Sequence, residues 1–271
     1  MRKPLAVFFL LLIFSVNSFS QNKLSQSKNE LNSGSRSGSE SVRSSSSYSS
    51  SSSSYRNDSF WADIFVDFFA QGLLWLTVGN HSGEEHLSNF YTPYPYFNGY
   101  SGNYSQPEYD RKSPVRFTIE NNIYDPFMHK TFANRLKGKV NFRHFGFQSD
   151  WLQMHEEFPK TKLAMVNLSF CYDRLRFQRF NWGWNMGANF IGSGVNSFGF
   201  SIGTTAEAFL FKRAALYASF KGGRVNKQPV NQFEIRAKRY INKFFISAGY
   251  ETLKIATPRY HYITAGAGIC L

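Results

Sequence analysis

The chain has 271 residues and a formal net charge of +13, and 18% of its residues are aromatic. By segment the charge is +2 over residues 1–21, +2 over 22–59, −4 over 60–114 (two basic, six acidic) and +13 over 115–271 (22 basic, nine acidic). A basic chain normally raises nucleic acid as a partner, but an export signal at the start excludes a routine encounter with it; anionic lipid headgroups are the expected counter-charge.

Residues 1–21 carry Arg2 and Lys3, then an apolar run from Leu5 to Val16 and the small-residue stretch Asn17 to Ser20. This is the pattern of a secretory signal peptide cleaved near Ser20 or Gln21. Its core of about a dozen residues is short of the ~20 needed for a spanning helix. Residues 22–59 are dominated by serine, with runs at Ser44–Ser47 and Ser49–Ser54. With so little to bury, this stretch is expected to be a disordered linker.

Residues 60–114 are expected to form a periplasmic extension. Within it, 60–78 (FWADIFVDFFAQGLLWLTV) places Asp63, Asp67 and Gln71 at four-residue spacing in an otherwise apolar surface, which predicts a helix. Its seat is either the protein's own core or a membrane interface. The stretch HSGEEH, His81 to His86, has one residue too many for an inverted zinc-protease motif, so neither metal nor cofactor is expected. Tyr91 to Tyr109 is rich in Tyr, Pro and Gly and reads as an extended segment packed on the rest of the protein.

From Val115 the sequence turns to period two. In FNWGWNMGANF, Phe180, Trp182, Trp184, Met186, Ala188 and Phe190 share one face, while Asn181, Gly183, Asn185, Gly187 and Asn189 share the other. The same texture recurs at 164–173, 198–208, 233–238 and 244–251. A soluble sandwich would show a mixed charged outer face; a face of Gly, Asn and Ser opposite a strongly apolar one fits a transmembrane barrel with its polar side inward.

The fold class is therefore an all-β, antiparallel transmembrane barrel of eight to ten strands. Ten is the fuller count: 115–124, 134–140, 144–156, 163–174, 179–191, 196–210, 214–222, 232–240, 244–253 and 259–271. Alternate connections, 125–133, 157–162, 192–195, 223–231 and 254–258, then read as longer outer loops, with short periplasmic turns between them. Arg143, Arg174, Arg176, Arg179, Lys212, Arg213, Arg239 and Lys243 fall at or beside those turns as a basic periplasmic ring, available to lipid phosphates or to the acidic extension. Inward positions include Arg116, Glu120, Arg135, Lys137, Asp173, Glu207, Glu234, Arg236, Lys238 and Glu251, expected to pair and close a lumen already narrow for this strand number. Cys171 and Cys270 both point inward from strands far apart around the wall, too distant for a disulfide.

The alternating strands and the final stretch Thr264-Ala265-Gly266-Ala267-Gly268-Ile269-Cys270-Leu271 resemble small bacterial outer-membrane barrels, in particular short barrel proteins of Bacteroidetes-type bacteria. The resemblance covers 115–271 and implies that Thr264, Gly266, Ile269 and Leu271 form the signal read by the barrel-assembly machinery, although Leu271 stands where aromatics are typical. It implies outer-membrane lipids and that machinery as partners, with a protein partner at outer loops such as DPFMHKTFA and GRVNKQPVN. It supplies no reaction. Ser193, His129 and Asp125 lie in candidate outer loops but no motif ties them together. A non-enzymatic structural or interaction role is the expectation; a surface hydrolase acting on lipid or peptide and a narrow pore are the alternatives. In the outer-membrane fraction the protein should show heat-modifiable gel migration; a soluble protein with unchanged migration would remove the barrel.

Overall fold

The computed structural model describes residues 23–36, 84–105, 115–126, 131–142, 145–157 and 160–271. The signal peptide, the helix expected over 60–78, Arg143 and His129 lie outside the described residues.

Ten strands form a closed barrel: β3 (Val115–Pro126), β4 (Thr131–Phe142), β5 (Phe145–Glu156), β6 (Thr161–Arg176), β7 (Phe180–Ile191), β8 (Ser197–Phe211), β9 (Ala214–Val225), β10 (Gln228–Ile241), β11 (Phe244–Ile255) and β12 (Arg259–Cys270). Each pairs antiparallel with its sequence neighbour, and β12 closes the ring on β3 with Thr264 opposite Tyr124 and Ile269 opposite Ile119. The seam runs on past β12, where Phe117 and Leu271 exchange two backbone hydrogen bonds of 2.8 Å. Closure leaves no unpaired strand edge, the condition for backbone polar groups to lie in hydrocarbon.

Alternation decides the facing. Along β12, Tyr260, Tyr262 and Thr264 are buried in the lumen while Ile263 is half exposed outside. The outer surface carries Ile123 at 66%, Phe198 at 74% and Phe211 at 73% exposure among many similar side chains. An apolar belt of that extent is not tolerated facing water, and strands of 12 residues or more exceed the ~9–11 needed to cross a bilayer obliquely.

The loop asymmetry read from the sequence is corrected. One end has connections at 127–130, 157–160, 192–196, 226–227 and 256–258; the other has 143–144, 177–179, 212–213 and 242–243. The expected loop 223–231 collapses to a two-residue turn, Asn226–Lys227, with φ of 49° and 66°, the left-handed pair that matches strand twist in a tight hairpin. Gly222, Gly223 and Pro229 suggested a loop, but they continue the ladder opposite Asn231, Val230 and Arg224; proline is tolerated so close to a strand's start. We call the two ends the loop end and the turn end.

A second correction concerns the serine-rich linker. Its first residues form α1 (Lys23–Arg36), seated in the mouth at the loop end. Leu24 and Leu31, seven apart and hence on one face, are fully buried and join a cluster with Leu152, Met154, Leu163, Met165, Ile191, Val225, Leu253 and Ile255. These barrel residues sit on the inward face, so the lumen is apolar at this end and not polar throughout as the alternation suggested. A 14-residue helix is marginal alone in water; the apolar seat supplies what the sequence lacks. The Glu156 carboxylate accepts from the Leu24 N–H at 3.2 Å, satisfying one orphan donor of the helix start. Ser27 Oγ donates to the Ile255 carbonyl at 3.1 Å, and Asn226 Nδ2 donates to the Leu31 carbonyl at 3.0 Å. Replacing Leu24 and Leu31 together by Asp should remove roughly 3–6 kcal/mol of seating and open Lys23 and Lys28 to trypsin while heat-modifiable migration persists; unchanged resistance at both lysines would refute the seat.

Candidate functional site: a filled lumen with both mouths covered

Below the apolar layer, the lumen is crossed by ion pairs from non-neighbouring strands. Arg236 Nη1 lies 2.6 Å from Glu120 Oε1, and its Nη2 lies 2.7 Å from Oε2 of Glu234, two residues back on its own strand. Lys137 Nζ reaches Glu234 at 2.6 Å, and Arg135 Nη2 reaches Glu251 at 2.8 Å, with Tyr124 donating to the same carboxylate at 2.6 Å. Lys238 meets Glu207 at 3.0 Å. Of the ten inward charges expected to pair, Glu120, Arg135, Lys137, Glu207, Glu234, Arg236, Lys238 and Glu251 do so; Arg116 has no ion pair to a carboxylate among the described residues, which corrects the expectation for it, and Asp173 is met by tyrosines at the turn end. Arg135 and Arg236 are among the largest fully buried side chains. Such a pair adds little net stability over an apolar pair, but removing one partner strands the other charge at about 3–5 kcal/mol. Two further inward charges, absent from the expected set, are Asp150 and Lys221, which meet at 3.4 Å. Strict alternation along β5 and β9 was the signal that could have found them.

At the turn end the mouth is covered by residues 84–105. They form a short 3-10 turn (Glu85–Ser88) and a two-stranded ribbon, β1 (Phe90–Tyr91) with β2 (Tyr104–Ser105), so the tyrosine-rich stretch is packed as expected. Tyr91 and Tyr104 both donate to Asp173 Oδ2, at 3.0 and 2.5 Å. Burial and the Asp173 charge push both phenols well above the ordinary tyrosine value, so they stay protonated donors. Tyr96 donates to the carbonyls of Phe211 and Ala214. Gly102 lies so close to the Phe209 ring that a side chain there would collide with it.

The basic ring divides in two. A register shift between Asp173 and Leu175 lets Arg174 and Arg176 both turn inward, 3% and 0% exposed. Arg174 donates to both oxygens of Glu84, at 2.6 and 2.8 Å, and Arg176 Nη1 donates to the Leu87 carbonyl at 3.2 Å. Arg179, Lys212, Arg213, Arg239 and Lys243 stay exposed at the turns. His86, from the histidine pair weighed as a metal motif, packs on Phe177 with ring centres 4.7 Å apart and lies 3.4 Å from Glu84. Of the C-terminal signal positions, Thr264 faces the lumen, Gly266 abuts Asn122, and Leu271 is exposed. Cys171 and Cys270 are free thiols lining one lumen cavity. Ser193 and Asp125 sit at the loop end, Ser193 in a turn with φ of 57°; with His129 outside the described residues, nothing joins them.

No family model matches the chain, and no curated protein matches it. Solved structures similar in fold include Neisserial surface protein A (14% identity, 57% of this chain, 94% of that one, TM-score 0.28). An outer-membrane channel from Pseudomonas putida F1 shows 6% identity over 62% of this chain and 99% of that one, TM-score 0.38. LpxR from Salmonella typhimurium shows 9% identity over 58% and 84%, TM-score 0.36. The class of protein here is a membrane-spanning antiparallel β-barrel with an internally filled lumen, and that rests on the closed sheet and its apolar belt.

The docking of 84–105 is open to test. Arg174→Ser should cost roughly 1.5–3 kcal/mol of it, seen as faster proteolysis within 84–105. The same docking should weaken at acid pH. Burial, with the Arg174 and Arg176 charges, holds His86 below the ordinary histidine value against the pull of Glu84. The undocked segment thus binds a proton more readily, and protection should fall as pH drops through about 6.5. Protection that rose on acidification would contradict this.

Proposed function

We propose that the protein is an outer-membrane barrel of a Gram-negative bacterium with a structural or interaction role and no through-path for solutes. The observation that carries this is the pair of ion contacts that cross the lumen, Arg236 to Glu120 and Lys137 to Glu234, with covered mouths above and below them. A channel of this strand number has little interior to spare, and this one is spent on side chains. The apolar belt makes the hydrocarbon of the membrane its solvent, and the export signal with the C-terminal resemblance favours delivery by the barrel-assembly machinery in a bacterium of Bacteroidetes type. The 84–105 segment then lies on the periplasmic side, where the exposed Arg179, Lys212, Arg213, Arg239 and Lys243 meet lipid phosphates.

The interaction surface this reading favours at the loop end extends beyond the loops to the helix in the mouth. It comprises the outward face of α1, with Gln26, Asn29 and Ser33 exposed, and the short turns around it. A protein partner would meet a rigid, polar, helix-topped surface there. Reconstituted into planar bilayers at neutral pH, the full chain should give no reproducible conductance steps; regular steps would replace this reading with that of a narrow pore.

A further inference from the structure

Beneath residues 84–105, the lumen side chains leave a cavity of about 80 Å³, walled by Asn103 and by Arg116, Lys139, Glu207, Lys238 and Cys270 among others. Space of that order takes a few waters, or one small oxyanion in their place.

The charges around it do not balance. Glu120 is held by Arg236 at 2.6 Å and accepts from Ser247 at 3.1 Å. Glu207 accepts from Lys238 and Tyr240, each at 3.0 Å, and from Asn103 at 2.8 Å. Asp173 accepts from two tyrosines. Every nearby carboxylate is thus engaged, Asp173 also answering the charge of Lys139, and Arg116 has no ion pair to a carboxylate among the described residues. Arg116 is only 4% exposed. Its Nη2 donates to Asn103 at 2.9 Å and its guanidinium lies 4.7 Å from the Tyr91 ring centre, but among the described residues Nε and Nη1 have no hydrogen-bond partner. A buried cation with open donors is costly unless something anionic answers it.

We propose that this cavity binds a small free oxyanion, inorganic phosphate or sulfate, through Arg116 and Lys139. The open donors of the Arg116 guanidinium, with the Lys139 ammonium on the same cavity wall, suit an acceptor-only tetrahedral anion through charge-assisted hydrogen bonds. The anion is free and not a lipid headgroup, because the barrel wall separates the cavity from the hydrocarbon and residues 84–105 cover its open side. Asn103 joins the two events: it donates to Glu207 and Asn181 and accepts from Arg116, so docking of the segment and enclosure of the anion favour one another.

The test uses the full chain, purified in detergent in buffer free of phosphate and sulfate, and titrated calorimetrically with inorganic phosphate and then sulfate. One saturable site per chain is expected. Arg116→Gln and Lys139→Gln, each checked for folding by heat-modifiable migration, should bind at least about tenfold more weakly, while Lys212→Ser at the exposed turn should bind as the parent does. Absence of saturable binding by the unaltered chain at millimolar anion would overturn the proposal, as would undiminished affinity in a folded Arg116→Gln chain. Reconstitution into vesicles of phosphatidylglycerol and phosphatidylcholine separates the sources. Phosphate affinity independent of phosphatidylglycerol content is expected; competition by that lipid would assign the site to headgroups and overturn the free-anion reading.

Discussion

Closure of the sheet is the constraint on which everything else depends. Once β12 pairs with β3, every inward side chain of ten strands is committed to one narrow space, and each must find its partner across that space because no water-filled bulk remains to solvate it. The ion pairs Glu120–Arg236, Glu234–Lys137 and Arg135–Glu251 join strands that are not adjacent in the wall. They fix which strands face one another across the lumen. This is specificity more than stability, since taking such charges from water offsets much of their attraction.

The lumen is consequently graded along its axis. At the loop end it is apolar and receives Leu24 and Leu31; in the middle it is ionic; at the turn end it is lined by tyrosine, asparagine and the open donors of Arg116 under a tyrosine-rich cover. Each layer is complementary to what seals it. An amphipathic helix with only two leucines needs an apolar seat, and a segment bearing Glu84, Tyr91 and Tyr104 needs Arg174 and Asp173.

Period two carried most of the wall in the sequence: ten strands, their order and their facing could be read from alternation, because lipid outside and a crowded lumen inside select opposite residue types. The ends were less legible. Gly222, Gly223 and Pro229 carried loop chemistry but serve in a ladder, since pairing on both sides outweighs their local preference. The helix at 23–36 was hidden because serine-rich composition describes what a segment cannot do alone and says nothing of a seat elsewhere in the chain. The seat did leave a trace: Leu152, Met154, Leu163, Met165, Leu253 and Ile255 are apolar on the face that should have been polar. The bulge at Asp173 was also invisible, and with it the inward turn of both Arg174 and Arg176.

Both coverings precede the wall they cover. α1 and residues 84–105 lie N-terminal to β3, so they leave the ribosome before any part of the barrel exists. The surfaces that hold them, drawn from β5, β6, β8 and β10 through β12, are complete only after the last strand closes the ring. Synthesis order and assembly order are therefore reversed: the first-made described segments are the last to find their places, and the protein travels to its membrane with the parts that will seal it still waiting for something to seal.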